Sequence, residues 1–432
     1  MNGGTGARPP AALPPGGGRA GGGTPSEAGV CILSDMSDRP DAPRALPVLP
    51  ARGRPEDPSV DGTGPASAPA PSANGAEEDR LTDLYGRRLR DLRVSVVDRC
   101  NFRCPYCMPE EVYGEGYEFL SRDELLGFDE IVRLVRVFAG AGAVKLRLTG
   151  GEPLLRPDLE SLVERVRSVE GIGDLAMTTN GYLLGRHAAS LRDAGLDRVT
   201  VSLDGLDEET FERMSGREWG LEEVLEGIDA ALEAGLDPVK LNMVVKRDAN
   251  DDAVVEMARR FRGTGVVVRF IEYMDVGTLN GWRLEDVVPS KELLERIDAE
   301  MPLVPVEKRH PGEVADRYRY ADGSGEIGFI SSVSQPFCGD CVRARLSADG
   351  TLHTCLFATD GTDFRGPLRD GATDDELSAL LRSVWRRRGD RYSERRTART
   401  RAVGEGSRTN GAGGEAAEGP EADRVEMFRM GG

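Results

Sequence analysis

From residue 79 onward, short β-branched runs alternate with amphipathic stretches at helical spacing. No other feature restricts the fold so strongly. Strands are expected at Leu92–Val97, Val144–Thr149, Asp174–Thr178, Arg198–Leu203, Val239–Val245 and Val266–Glu272. Helices are expected near 122–140, 157–169, 183–194, 207–215, 221–234 and 250–262. Several close on Gly, as at Ala194-Gly195 and Ala234-Gly235, where the left-handed cap costs least. Repeated β–α units require a parallel sheet with helices outside it. Six units are too few for a closed eight-unit barrel, so the expected fold is α/β, either doubly wound or a partial barrel. In both, ligands gather at the carboxyl ends of the strands.

Those ends are polar or glycine-rich throughout. Strand two ends in Arg147-Leu148-Thr149-Gly150-Gly151-Glu152-Pro153, strand three in Thr178-Thr179-Asn180-Gly181, and strand four in Ser202-Leu203-Asp204-Gly205. Strand five carries Lys240 and Asn242, and strand six ends in Glu272-Tyr273-Met274-Asp275. Each alone reads as an ordinary turn; the whole set favours one shared pocket. Strand one runs into Cys100, Cys104 and Cys107, spaced Cys-x3-Cys-x2-Cys. Three thiolates hold three irons of a [4Fe–4S] cluster, whose usual complement is four, and so leave one iron open. Structural zinc sites favour paired knuckles closing to four ligands instead.

A second cysteine group, Cys338, Cys341 and Cys355, follows the last strand–helix unit. There His353 could complete a Cys3His zinc site, so from this segment alone zinc and a second cluster both stay open. Seven cysteines, six of them in two tight groups, suit metal or cluster binding in a reducing cytoplasm rather than a disulfide framework. A net charge of −18 argues against nucleic acid or an anionic membrane as partner. No stretch has the length and apolarity of a membrane span or a signal peptide. Gly and Pro supply 28 of the first 78 residues, with no aromatic, which predicts a disordered tail in which Cys31 is not a ligand.

Cys100, Cys104 and Cys107 with Gly150-Gly151-Glu152-Pro153 resemble the radical S-adenosylmethionine (SAM) enzymes. The second triad, Arg343-Ala344-Arg345 and the terminal Gly431-Gly432 narrow the resemblance to the GTP 3′,8-cyclases of molybdenum cofactor biosynthesis. The resemblance implies a partial (β/α)6 TIM-type barrel with a C-terminal extension carrying a second [4Fe–4S] cluster. It implies that Tyr106, Gly151, Ser202 and Met274 bind SAM. It places Arg93, Arg147, Thr178, Lys240, Arg343, Ala344 and Arg345 on GTP, with Thr179 as the alternative to Thr178. Cys338, Cys341 and Cys355 become ligands of the second cluster, and Gly431 and Gly432 enter the active site. The implied reaction is SAM-dependent radical cyclisation of GTP to 3′,8-cyclo-7,8-dihydro-GTP. Its implied partners are GTP, a flavodoxin- or ferredoxin-like electron donor, and cyclic pyranopterin monophosphate synthase as the next enzyme; members are often homodimers. The expected organisation is a tail at 1–78, a barrel at 79–300, a second-cluster domain at 301–397, a flexible linker at 398–423 and a glycine-ended tail at 424–432. A radical SAM enzyme that matures a peptide, and a zinc-bearing binding protein, are the rival readings.

Overall fold

The computed structural model describes residues 81–277, 279–309, 312–396 and 424–431. The expected tail 1–78 with Cys31, the linker 398–423 and Gly432 lie outside these residues.

Six parallel strands carry the barrel part: β1 (Asp91–Ser95), β2 (Lys145–Thr149), β3 (Asp174–Thr179), β4 (Arg198–Ser202), β5 (Lys240–Val245) and β6 (Val267–Glu272). Six more follow: β7 (Leu303–Val306), β8 (Asp316–Tyr320), β9 (Glu326–Ile330), β10 (Arg343–Leu346), β11 (Thr351–His353) and β12 (Thr362–Asp363). All join one sheet in the order β12-β11-β10-β1-β2-β3-β4-β5-β6-β9-β8-β7. The sheet does not close, because β12 and β7 form its two ends. The parallel core is longer than the strand–helix rhythm predicts. β10 pairs parallel with β1 and β9 pairs parallel with β6, so late segments extend both edges.

Strands two to four of this core are almost wholly buried, as expected where helices cover one face and side chains fill the other. The helix Phe128–Gly140 shows how the outer layer is built. Ile131, Val132, Leu134, Val135, Val137 and Phe138 form its buried stripe. It begins at Phe128 rather than near 122, because the preceding segment is held in turns. Ser121 N–H donates to Glu124 Oε2 at 2.8 Å, and Gly127 N–H to Glu130 Oε2 at 2.6 Å. Such local side-chain acceptors compete with a regular helix and favour its cap.

Buried carboxylates tie the loops above the sheet together. Glu272, 0% exposed, accepts from the backbone N–H groups of Ser290, Val333 and Ser334 and from Ser334 Oγ. Glu152, also 0% exposed, accepts from Leu154 N–H, Thr179 Oγ1 and Asn180 N–H, and burial pushes its carboxyl up to about 7. Each carboxylate therefore fixes the loop backbone that it accepts from.

Candidate active site

The carboxyl ends of the parallel strands enclose a cavity of about 280 Å³ whose walls include all six cysteines of the two triads. A larger hollow of about 530 Å³ lies beyond Cys355. It shares only that cysteine of the six, so the smaller cavity is where the chemistry converges.

The first triad sits on a loop folded back on itself. Cys107 N–H donates to Cys104 O at 2.9 Å, and Arg103 Nη1 donates to Cys100 O at 2.7 Å. Cys100 Sγ accepts from Phe102 N–H at 3.4 Å and faces Asn180 Nδ2 at 3.7 Å. Gly150 and Gly151 are required by this loop. A Cβ on Gly151 would lie 2.2 Å from Arg99 O, and one on Gly150 would lie 2.6 Å from Val97 O. The glycine motif thus lets strand two pack against the cysteine-loop backbone, a closer constraint than approach to a ligand. Replacing Gly151 by Ala is expected to displace the Cys100 loop and to cost about 2 kcal/mol or more. Urea unfolding together with iron content after reconstitution measures both effects, and a stable variant with full iron content would contradict the packing account.

In the second triad, Cys341 N–H donates to Cys338 O at 3.2 Å, and Phe357 N–H faces Cys355 Sγ at 3.5 Å. Two buried arginines hold this turn from behind: Arg87 Nη1 donates to Cys338 O and Arg388 Nη1 to Cys341 O, each at 2.7 Å. Burial pushes the Cys341 thiol up, but Arg343 and Arg388 outweigh it and hold the group at about 6. In the first triad the cation beside Cys100, Arg103, is outweighed by burial. Burial, then the negative charge of Glu152, pushes Cys100 up to about 12, while burial and neighbouring thiols raise Cys104 and Cys107.

Both donor sets fit iron–sulfur clusters. Crowded buried thiols favour a positively charged group that takes up their negative charge. Among the described residues, no three His, Cys, Asp or Glu side chains form a site for a single metal ion. His353 does not join the second triad: its Nδ1 pairs with Asp360 O at 2.9 Å, and its ring lines a separate small cavity with Asp98 and Arg429.

Between the triads stands a wall of cations. Arg93, Arg147, Arg269, Arg343 and Arg345 all line the cavity. Burial and the neighbouring cations push Arg93 and Arg269 down to about 10 and lower Arg147 and Arg345 as well. Arg343 shifts upward because Cys341 outweighs its burial. Arg147 Nη1 donates to Thr178 Oγ1 at 2.8 Å, whereas Thr179 is bound to Glu152, so Thr178 is the threonine within the cation cluster. Tyr106, Gly151, Ser202 and Met274 line the same cavity. Tyr106 donates its hydroxyl to Asp204 Oδ2 at 2.5 Å, and burial pushes Asp204 up to about 6.

Two expected site residues stand apart. Lys240 begins β5 and does not line the cavity; burial, then Arg269, Arg198 and other cations, pushes it down to about 7. Ala344 is 0% exposed, packs in the core and does not line the cavity, unlike Arg343 and Arg345 on either side of it. Gly431 comes in with the terminal segment, and its carbonyl accepts from Arg345 Nη1 at 2.7 Å. Sequence reasoning missed Arg269 and Phe428 as cavity residues, while Asp204 lies where the strand-four end was expected to meet the pocket. The signal for Arg269 was present: a charged residue inside the apolar run Val266-Val267-Val268-Arg269-Phe270-Ile271.

Known proteins match this chain across the same elements. Residues 94–261 match the radical SAM superfamily, and residues 266–394 match Molybdenum Cofactor Synthesis C. The GTP 3′,8-cyclase of Xanthomonas campestris pv. campestris (strain B100) is 54% identical over 321 residues, covering 74% of this chain and 94% of that protein. The chain belongs to the GTP 3′,8-cyclase family. The family's member from Acidothermus cellulolyticus is 51% identical over 362 residues, covering 82% of this chain and 99% of its own. Among solved structures, Streptococcus suis SuiB bound to S-adenosylmethionine is 14% identical, with a TM-score of 0.49 and 69% of each chain covered. Radical SAM enzymes use SAM with a [4Fe–4S] cluster, and the GTP 3′,8-cyclases carry a second cluster, the complement for which this chain presents its two triads. Among the described residues no helix is long and apolar enough to cross a membrane.

Proposed function

We propose that this chain converts GTP to (8S)-3′,8-cyclo-7,8-dihydroguanosine 5′-triphosphate, the first step of molybdenum cofactor biosynthesis. The observation that carries the reading is the buried cation wall between the two cysteine triads. Five arginines sharing one cavity repel one another and lose hydration, so an anion of high charge is the ligand that relieves them. A triphosphate meets that demand, and guanidinium forks pair with its oxygens two at a time.

Bound SAM and a reduced first cluster would supply a carbon-centred radical that takes the hydrogen from carbon 3′ of the GTP ribose; carbon 3′ then bonds to carbon 8 of guanine, and the nitrogen-centred radical left on the ring gains one electron from the donor and one proton to give the dihydro product. Cys100, Cys104 and Cys107 hold that first cluster. Tyr106, Gly151, Ser202 and Met274 hold SAM, with Asp204 fixing the Tyr106 hydroxyl. Cys338, Cys341 and Cys355 hold the second cluster beside the purine. Arg93, Arg147, Thr178, Arg343 and Arg345 orient GTP, joined by Arg269; Ala344, buried in β10, spaces Arg343 from Arg345, and Lys240 acts through the charge it adds near Arg269. Gly431 and Gly432 close the site. Residues 79–300 supply the six-strand part of the barrel, and residues 301–397, the second-cluster region, add its two edge strands. The reaction takes place in the cytoplasm, draws electrons from a flavodoxin- or ferredoxin-like donor, and passes its product to cyclic pyranopterin monophosphate synthase; the working unit is a homodimer. No observation favours peptide maturation.

Anaerobic reconstitution followed by incubation with SAM, dithionite and GTP tests the reading. GTP-dependent formation of 5′-deoxyadenosine with the cyclised nucleotide is expected, and 5′-deoxyadenosine formation indifferent to GTP would refute it. Arg269→Met is expected to weaken GTP binding by about 10- to 100-fold, the worth of a hydrogen bond to a charged group. Equilibrium dialysis with GTP measures the loss, and unchanged binding would remove Arg269 from the phosphate site.

A further inference from the structure

The second triad lies directly beneath a surface of opposite character to the rest of the chain. The full chain carries −18, yet the segment Trp385-Arg386-Arg387-Arg388-Gly389-Asp390-Arg391-Tyr392-Ser393-Glu394-Arg395 is densely basic. Arg386, Arg387 and Arg395 are exposed, and no hydrogen bond or ion pair engages their side chains among the described residues. The acidic members of the segment are turned inward. Asp390 accepts from Thr354 Oγ1 at 2.6 Å, and Glu394 accepts from Gly339 N–H at 2.9 Å while pairing with Arg391. Asp340, also exposed, is the carboxylate of the cysteine turn itself.

An apolar spot adjoins these cations. Leu84 is 68% exposed and Tyr85 is 48% exposed. Leu84 N–H donates to Arg388 O at 3.3 Å, and the Arg391 guanidinium lies 5.1 Å from the Tyr85 ring centre. Leu84 and Tyr85 thus adjoin the basic segment, a small apolar centre beside a charged rim, as in protein–protein contacts. The same short turn reaches the triad. Arg87, two residues after Tyr85, donates to Cys338 O, and Arg388 donates to Cys341 O. A partner seated here is therefore separated from two cluster-ligand backbones by single buried arginine side chains.

Resting on the reading of the second triad as a cluster site, we propose that this face is the docking surface for an acidic one-electron carrier protein. The carrier loses one electron and the cluster held by Cys338, Cys341 and Cys355 gains it; no bond forms or breaks. Charge complementarity selects the carrier and speeds its encounter, and a small apolar centre suits a transient contact. The other exposed aromatic near a triad, Trp219 against Phe102 of the first loop, has Glu218 and Glu223 as exposed neighbours in sequence and would repel the same carrier.

The test uses the full reconstituted chain and an acidic flavodoxin, reduced to its hydroquinone, as probe. Stopped-flow absorbance follows flavin oxidation for wild type, for Arg386→Glu/Arg387→Glu/Arg395→Glu and for Trp219→Ala. The arginine variant is expected to slow oxidation about tenfold or more at low ionic strength, with the gap narrowing in high salt. Its GTP-dependent 5′-deoxyadenosine formation with dithionite is expected to match wild type. Oxidation unchanged in the arginine variant, slowed instead by Trp219→Ala, or accompanied by tighter binding of a single-stranded RNA oligomer at the same face would overturn the proposal. Loss of GTP dependence with dithionite in the wild-type chain would instead remove the cyclase reading, while flavin oxidation would still report on the surface.

Discussion

Removing Gly431 and Gly432 is expected to abolish GTP cyclisation, a loss of at least about a hundredfold. About eight irons per chain should remain bound, because neither triad is touched. The reason lies in how the terminal segment enters the pocket. Phe428 is 2% exposed and packs edge-on against Tyr113 at 4.9 Å between ring centres, while Met430 is 0% exposed. Arg429 Nη2 donates to the Tyr117 hydroxyl at 2.8 Å. These contacts deliver Gly431 to the cation wall, where its carbonyl takes one donor of Arg345. Gly431 has φ of 65°, and a Cβ there would lie 2.0 Å from Thr149 Cγ2. Gly431→Ala should therefore undock the last turn without shortening the chain, since the left-handed backbone and Thr149 both oppose a side chain. Product analysis and iron assay on both variants decide the matter. Full turnover in the truncated chain would mean that the tail serves folding alone.

Cys338→Ala is expected to halve the iron content, from about eight to about four per chain. SAM cleavage by the first cluster should persist at a low level but no longer respond to GTP. The physical basis is that the two donor sets of one cavity sit on separate loops, each held by its own backbone turn. Removing Cys338 leaves Cys341 beside Arg343 and Arg388, where the thiol is held at about 6, so two of three ligands stay in place without a third. Metal analysis with electron paramagnetic resonance separates this outcome from a zinc site. One zinc and no iron in the parent chain would leave the second triad as a structural knuckle.

Much of this was legible in the chain before folding. All six barrel strands fall within two residues of their expected ends, because β-branched runs bounded by turn residues leave little choice. Helix starts were less legible: the turn at Ser121–Glu124 belongs to local side-chain competition, which hydrophobic spacing does not register. The late strands β9 and β10 were not legible as barrel edges. Each is short, and their pairing with β6 and β1 is a contact between residues distant along the chain.

The site divides in the same way. Spacing marked the two cysteine groups as metal or cluster sites, and only the family resemblance made the second one a cluster site and singled out the glycine pair after β2. Which surface those glycines meet was decided by the fold, where the Arg99 carbonyl leaves no room for a Cβ. Thr178 was separated from Thr179 by a hydrogen bond to Arg147 on a neighbouring strand. Arg269 became part of the cation wall only because strand register sets β6 against β5 and its side chain reaches toward Thr200. Local composition thus determined the ligands and the strand–helix order, because these depend on neighbours in the chain. The cation wall, the docked Gly431 and the arginines behind the second triad arise from contacts closed across the sheet, and only the tertiary structure brings those charges together.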